Sequence, residues 1–128
     1  MKKAFIWIII AAASGIGLYS ISGGEKPVSS APITLSKAQV DGAAAFDQNC
    51  SVCHGSEGIG TDQGPPLIHI IYEPGHHSDA SFQRAVALGV RQHHWQFGDM
   101  PAVAGVSPDE VILITDYIRA LQRAAGIN

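Results

Sequence analysis

A chain of 128 residues with a formal net charge of −3 is long enough for one small domain. Beyond residue 24, six Lys or Arg stand against eleven Asp or Glu, a net of −5, which excludes the basic stripe that nucleic acid requires. There are no internal repeats, and the one compositionally biased stretch is a short linker near the start.

Lys2 and Lys3 precede an apolar run with no further charge until Glu25. As a helix, residues 4–22 measure roughly 28 Å, just enough to cross a hydrocarbon core of about 30 Å. Two readings fit. One is a cleaved signal peptide, with Ser20, Ser22 and Gly23 as small residues near a cleavage point. The other is an uncleaved anchor, favoured by the length of the run and the lack of a clear A-x-A site. Residues 1–22 are thus a signal anchor or signal peptide, with both lysines on the cytoplasmic side in either case. The rest is expected on the outer, periplasmic face of a bacterial cytoplasmic membrane, or in the soluble periplasm after cleavage. Residues 23–35 are small, polar and proline-containing, and read as a flexible tether. The folded part is expected over 36–128. At about 90 residues it is marginal for a core made of protein alone, so something else should help hold it together.

The first element is a helix capped by Ser36, with Val40, Ala43, Ala44 and Phe46 facing inward. Its end meets Cys50-Ser51-Val52-Cys53-His54. A disulfide between cysteines three apart would close a tiny loop and stabilise little. A thioredoxin-type dithiol needs a strand before the motif, where this chain has a helical pattern. A zinc site needs two more regularly spaced ligands, and there is no second CxxC. The remaining reading is a c-type haem attachment site, CxxCH. Two thiols add across the two vinyl groups on one porphyrin edge, which places the adjacent His54 beneath the iron. The expected cofactor is one covalently bound haem c.

Further along, Ser81 can cap a helix through Phe82, Ala85 and Val86 up to Gly89. Met100 follows in Phe97-Gly98-Asp99-Met100-Pro101. It is the thioether donor available for the second axial position, because Met1 is at the wrong end. Pro101 stiffens the chain after it. A space-filling core methionine is the plainer alternative. His/Met ligation would favour ferrous iron and raise the reduction potential. Ser107-Pro108-Asp109-Glu110 is a capping box with proline at the first helical position. It opens a last helix with Val111, Ile114, Ile118 and Leu121 on one face and Gly126 beyond its end. No alternating strand pattern is evident, so an all-α fold is expected.

Over about Ser36 to Arg123 the chain resembles the class I c-type cytochromes. The likeness rests on Gly42, Phe46 and Cys50 at four-residue spacing, on Gly64-Pro65-Pro66-Leu67 after the haem motif, and on Ile114 and Tyr117 in the last helix. It implies three or more helices and long loops wrapped around one haem. It also implies that the Pro65 carbonyl accepts a hydrogen bond from His54 Nδ1–H. Gly42 would let Tyr117 pack closely where the terminal helices cross.

The middle of the chain departs from that pattern. All six histidines lie between residues 54 and 94. His69, His76, His77, His93 and His94 read first as loop residues, some bonded to haem propionates. Arg91 and Trp95 are suitable propionate donors. A sharper reading is a second metal site, copper or zinc, built from two or three imidazoles. Adjacent histidines usually point apart, which weighs against it. One histidine replacing Met100 on iron is a further alternative.

The expected activity is one-electron transfer with no bond made in a substrate, hence a carrier and not an enzyme. Its donor would be a dehydrogenase or quinol-oxidising complex, its acceptor an oxidase or reductase. No ring of lysines marks a docking face, so the partner surface should be neutral, apolar or basic. Alternatives are a metal-handling or sensing protein using the histidines, and a fixed haem subunit of a larger complex.

Overall fold

The computed structural model describes residues 32–128, so the leader at 1–22 and most of the tether lie outside the described residues. Four helices follow in order: α1 (Lys37–Asn49), α2 (Ser51–His54), α3 (Asp79–Leu88) and α4 (Pro108–Ala124). Single 3₁₀ turns stand at Ser56–Gly58 and Ile70–Tyr72. Among the described residues there is no strand, only an isolated antiparallel bridge between Val90 and Met100. No described helix is long and apolar enough to cross a membrane.

Two of the helices begin where side-chain chemistry says they should. Gln39 N–H donates to Ser36 Oγ at 3.3 Å and Ser36 N–H to Gln39 Oε1 at 2.9 Å, a complete capping box. At the head of α4, Glu110 N–H donates to Ser107 Oγ at 3.3 Å and Ser107 N–H to Glu110 Oε2 at 2.8 Å. The two bonds from Ser107, backbone first and hydroxyl second, hold the Glu110 carboxyl below its ordinary range. The third start differs from the sequence expectation. α3 opens after Ser78, and Ser81 lies within the first turn, its hydroxyl donating to the Ser78 carbonyl at 2.6 Å. The earlier start places Asp79 in the first turn, favourable for a carboxylate beside the helix N-terminus. There Asp79 also accepts a bond from Arg119 Nε at 2.8 Å, a tie from α4 with no local signature.

α1 and α4 cross at Gly42. A Cβ on Gly42 would stand 2.1 Å from the Leu113 carbonyl oxygen, so the two backbones touch there. The close approach is therefore to Leu113 and Ile114; Tyr117 packs instead on Phe46, with ring centroids 5.9 Å apart. Gly42 and Phe46 are the buried residues of α1. Val40 and Ala44 are exposed, contrary to expectation. Each is two positions from Gly42, roughly 200° around a helix of 3.6 residues per turn, and so on the far side.

The core is small: Phe46, Leu67, Ile114, Tyr117, Ile118 and Leu121. Beside it, α4 buries Arg119 and Gln122. Arg119 Nη1 donates to the Tyr72 carbonyl and to Gln122 Oε1, both at 2.6 Å, and Nη2 to the His77 carbonyl. Gln122 Nε2 donates to the carbonyls of Leu67 at 2.8 Å and Tyr72 at 3.1 Å. These donors hold the irregular segment between residues 67 and 79 against the last helix. A buried cation is tolerated here because its N–H groups find acceptors.

Two predictions follow from the packing. Gly42→Ala forces apart a backbone contact and should cost about 1–3 kcal/mol, read as a lower denaturant midpoint at unchanged slope. Glu110 has a depressed folded pKa, so its contribution is complete above its ordinary value of 4.5 and is lost as pH falls through the folded value. The gap in melting temperature between wild type and Glu110→Gln should be widest near neutrality and should narrow below about pH 4.5.

Candidate haem site and histidine cluster

A cavity of about 850 Å³ opens beside the core, bounded by the end of α1, by α2, by α3 and by the loop leading to Met100. That is toward the upper end of the roughly 300–1,000 Å³ typical of ligand pockets. Phe46, Leu67, Val86, Val111 and Ile114 give it a largely apolar lining.

One wall is α2. This helix is a single turn because Gly55, at φ 75°, ends it in a conformation that suits glycine. A Cβ there would also meet the Gly60 carbonyl at 2.5 Å. The turn brings Cys50, Cys53 and His54 onto the cavity together. No disulfide joins the two cysteines. Cys50 is half-buried, and burial, followed by the neighbouring Cys53, pushes its thiol up to about 11.

His54 Nδ1 lies 2.9 Å from the Pro65 carbonyl. A carbonyl only accepts, so the proton sits on Nδ1 and Nε2 keeps a free lone pair. Burial lowers the His54 pKa, the Pro65 bond opposing it, which favours the neutral ring a metal needs. Pro65 is itself held in place. A Cβ on Gly64 would stand 2.8 Å from the Cys53 carbonyl oxygen, Thr61 Oγ1 donates to that oxygen at 2.6 Å, and Leu67 N–H donates to the Gly58 carbonyl at 2.7 Å.

Met100 also lines the cavity. Gly89, at φ 75°, ends α3 and allows the chain to press on the Met100 carbonyl, 2.6 Å from where a Cβ would stand. Val90 and Met100 then exchange two backbone bonds of 2.9 Å. Residues 91–99 form a loop closed at that base and tied internally by Gln92 N–H to Asp99 Oδ1 at 2.9 Å and Gly98 N–H to Gln92 Oε1 at 2.6 Å.

Arg91 and Trp95 both border the cavity from this loop. Trp95 Nε1 is buried and has no hydrogen-bond partner. The Tyr72 hydroxyl is nearby, but the two do not meet hydrogen-bonding geometry. An unpaired buried donor is costly, and an acceptor supplied by a bound group would satisfy it. The residues present fit a haem: an apolar cavity, two thiols beside an imidazole with its outer nitrogen free, a thioether on the same cavity, and a donor without an acceptor.

The histidines divide. His69 stands apart as a turn residue, its Nδ1 accepting from Ile71 N–H at 3.2 Å and its ring edge-on to Trp95 at 5.1 Å. His76, His77 and His94 come together, with one ligand atom from each within 4.8 Å of the others. Neighbouring rings do not point apart: His76 and His77 have centroids 4.7 Å apart, His93 and His94 4.3 Å. Burial lowers the His77 pKa first, opposed by its bond to the Ile71 carbonyl; His76, His93 and Arg119 lower it further. His94 is lowered by desolvation and by His93, His77 and His76. Sequence reasoning missed Arg119 and Gln122. Gln122 had a signal, since it lies four residues after Ile118 on the apolar face of α4.

This combination defines an all-α haem protein of the covalently attached, c type. The family model for cytochrome c matches residues 39–122, and the chain belongs to the cytochrome c family. Its cofactor is a covalently bound c-type haem. Among curated relatives, the cbb3-type cytochrome c oxidase subunit FixP of Bradyrhizobium diazoefficiens is 28% identical over 116 residues, covering 84% of this chain and 37% of the relative. The protein of the same name from Azorhizobium caulinodans is 32% identical over 97 residues, covering 73% and 33%. The chain thus spans about a third of the length of these relatives. No solved structure gave a significant match.

Gly64→Ala tests the support of Pro65. A Cβ against the Cys53 carbonyl should shift the loop and cost about 1–3 kcal/mol, at roughly 4–8 °C of melting temperature per kcal/mol in a domain of this size. Gly75→Ala, whose Cβ would meet nothing nearer than 3.9 Å, should stay within about 2 °C and serves as the control.

Proposed function

We propose that the chain is a one-electron carrier of a respiratory chain, with Cys50 and Cys53 holding the haem, His54 below the iron and Met100 above it. One observation carries this reading: the His54–Pro65 bond, which leaves Nε2 free on a cavity that Met100 also lines. When bound, the haem supplies the one-electron couple. The protein's part is to attach, orient and tune. The thiols of Cys50 and Cys53 would hold the haem covalently, each S–H bond and vinyl π bond giving way to a C–S and a C–H bond, with no oxidant needed. The Pro65 carbonyl raises the basicity of His54 and fixes its plane. Met100, on a loop pinched at the Val90 bridge, supplies a weak thioether ligand that favours the ferrous state. Trp95 Nε1 and Arg91 donate to the propionates.

We place this domain on the outer face of the cytoplasmic membrane, held or delivered there by residues 1–22. The likeness to cbb3-type oxidase subunits supports a cbb3-type oxidase as the electron acceptor, with this chain acting as a subunit or a tethered shuttle. The donor would be a dehydrogenase or a quinol-oxidising complex. A tether raises the effective concentration at a membrane partner, so weak docking contacts suffice. With a net charge of −5 beyond residue 24, the complementary partner surface is basic or apolar.

The test is a redox-titrated visible spectrum with carbon monoxide. Met100→Ala should bind carbon monoxide in the ferrous state. Its potential should fall by on the order of 100 mV, a modest part of the roughly 0.8 V that axial ligands span. Wild type that binds carbon monoxide as readily as the variant would remove Met100 from the iron.

A further inference from the structure

We infer that His76, His77 and His94 form a second metal site, for a divalent late-transition ion of the Zn²⁺ or Cu²⁺ class, distinct from the residues assigned to haem iron. The three imidazoles come from two separate stretches of chain, the turn at 73–77 and the loop at 91–99, so the ion would join them.

The donor atoms are already close to coordination spacing. His76 Nε2 and His94 Nε2 are 3.2 Å apart. Two nitrogens each bonded to one tetrahedral Zn²⁺ at about 2.0–2.1 Å stand roughly 3.3 Å apart. His77 Nδ1 is 2.7 Å from the Ile71 carbonyl, which places the proton there and leaves Nε2 as the ligand atom. A ligand histidine whose other nitrogen donates to a backbone carbonyl is a common arrangement at metal sites. A ligand atom of His77 lies within 4.8 Å of those of His76 and His94.

The 73–77 side is firmly built. His76 N–H and His77 N–H both donate to the Glu73 carbonyl, at 3.1 and 2.8 Å, and the His77 carbonyl accepts from buried Arg119. His94 comes from the more exposed loop. His93 is adjacent, its ring centroid 6.0 Å from that of His77, and its Nδ1 is engaged with the Arg91 carbonyl at 2.8 Å. Its ligand atoms are not among the three that come together, so water would complete the site. A set made only of imidazoles selects Zn²⁺ and Cu²⁺ over Mg²⁺ and Ca²⁺, which take oxygen donors. Because the 91–99 loop ends at Met100, an ion here would clip the methionine side of the cavity to a turn anchored on α4.

The test uses the full, haem-loaded chain, stripped of adventitious metal with a chelator. It is dialysed to equilibrium against Zn²⁺ and, separately, Cu²⁺, with metal and haem iron measured together. One Zn²⁺ or Cu²⁺ per iron is expected. His94→Ala and His76→Ala should each weaken binding by at least about tenfold, while His69→Ala should not. Haem absorbance in each variant shows that the fold is retained. Failure of both ions to bind saturably, or uptake that survives in His76→Ala and His94→Ala, would overturn the proposal. So would a metal-free visible spectrum altered by His94→Ala and left unchanged by Met100→Ala, because that would put the cluster's imidazole on the haem iron.

Discussion

The hydrogen bond from His54 Nδ1 to the Pro65 carbonyl decides which nitrogen of the ring faces the cavity, and much of the surrounding backbone exists to aim it. The ring is carried by a helix of one turn, too short to be stable alone. Its orientation therefore has to come from outside the helix. It comes from a loop folded back over the cysteines: Gly64 against the Cys53 carbonyl, Gly60 beneath Pro66, Gly58 accepting from Leu67. At Gly60 and Gly64 a Cβ would meet the backbones of Pro66 and Cys53 at 2.8 Å, and Gly58, at φ 70°, holds a conformation that suits glycine.

Arg119 and Gln122 perform the equivalent service for the next stretch of chain. Residues 67–79 contain one 3₁₀ turn and otherwise little regular structure, so their carbonyls need partners from elsewhere. The two side chains provide them for Leu67, Tyr72 and His77. The arrangement favours a defined structure more than it adds stability. Losing one partner of a buried charge typically costs about 3–5 kcal/mol, whereas an apolar replacement of the whole set is often neutral. What the network secures is a fixed path for the chain between the two walls of the cavity.

The parts of the structure legible in the sequence are those governed by local chemistry. Ser36 and Ser107 cap helices through bonds three residues long, and Ile114 and Ile118 recur at the helical period. The Cys50, Cys53 and His54 spacing is local as well. The parts that were not legible depend on distant partners. α3 starts at Asp79, where the first turn receives Arg119 forty positions away. Val40 and Ala44 look apolar enough to be inside, yet the buried stripe of α1 is set by Gly42 pressing on Leu113 across the bundle. The meeting of His76 and His77 with His94 is a property of two loops, one of them held by the buried Arg119. Pairwise sequence spacing contains no record of it.

The two walls of the cavity differ in how they are held. Around His54 the backbone is fixed by close glycine contacts and by bonds within about fifteen residues of sequence. Around Met100 the chain is fixed by the two-bond bridge to Val90 and by Val103 N–H to the Val86 carbonyl at 2.9 Å, while the nine-residue loop beyond the bridge, tied internally through Gln92, is largely exposed. Regions with few buried contacts open at lower free energy than the rest of a domain. Met100 thus stands at the end of the more exposed segment, and anything that ties the 91–99 loop to the Arg119-anchored turn acts on that side of the cavity. The histidines stand at that junction. Their placement gives the protein a point at which a small ion can stiffen the methionine side without touching the helix that carries the cysteines.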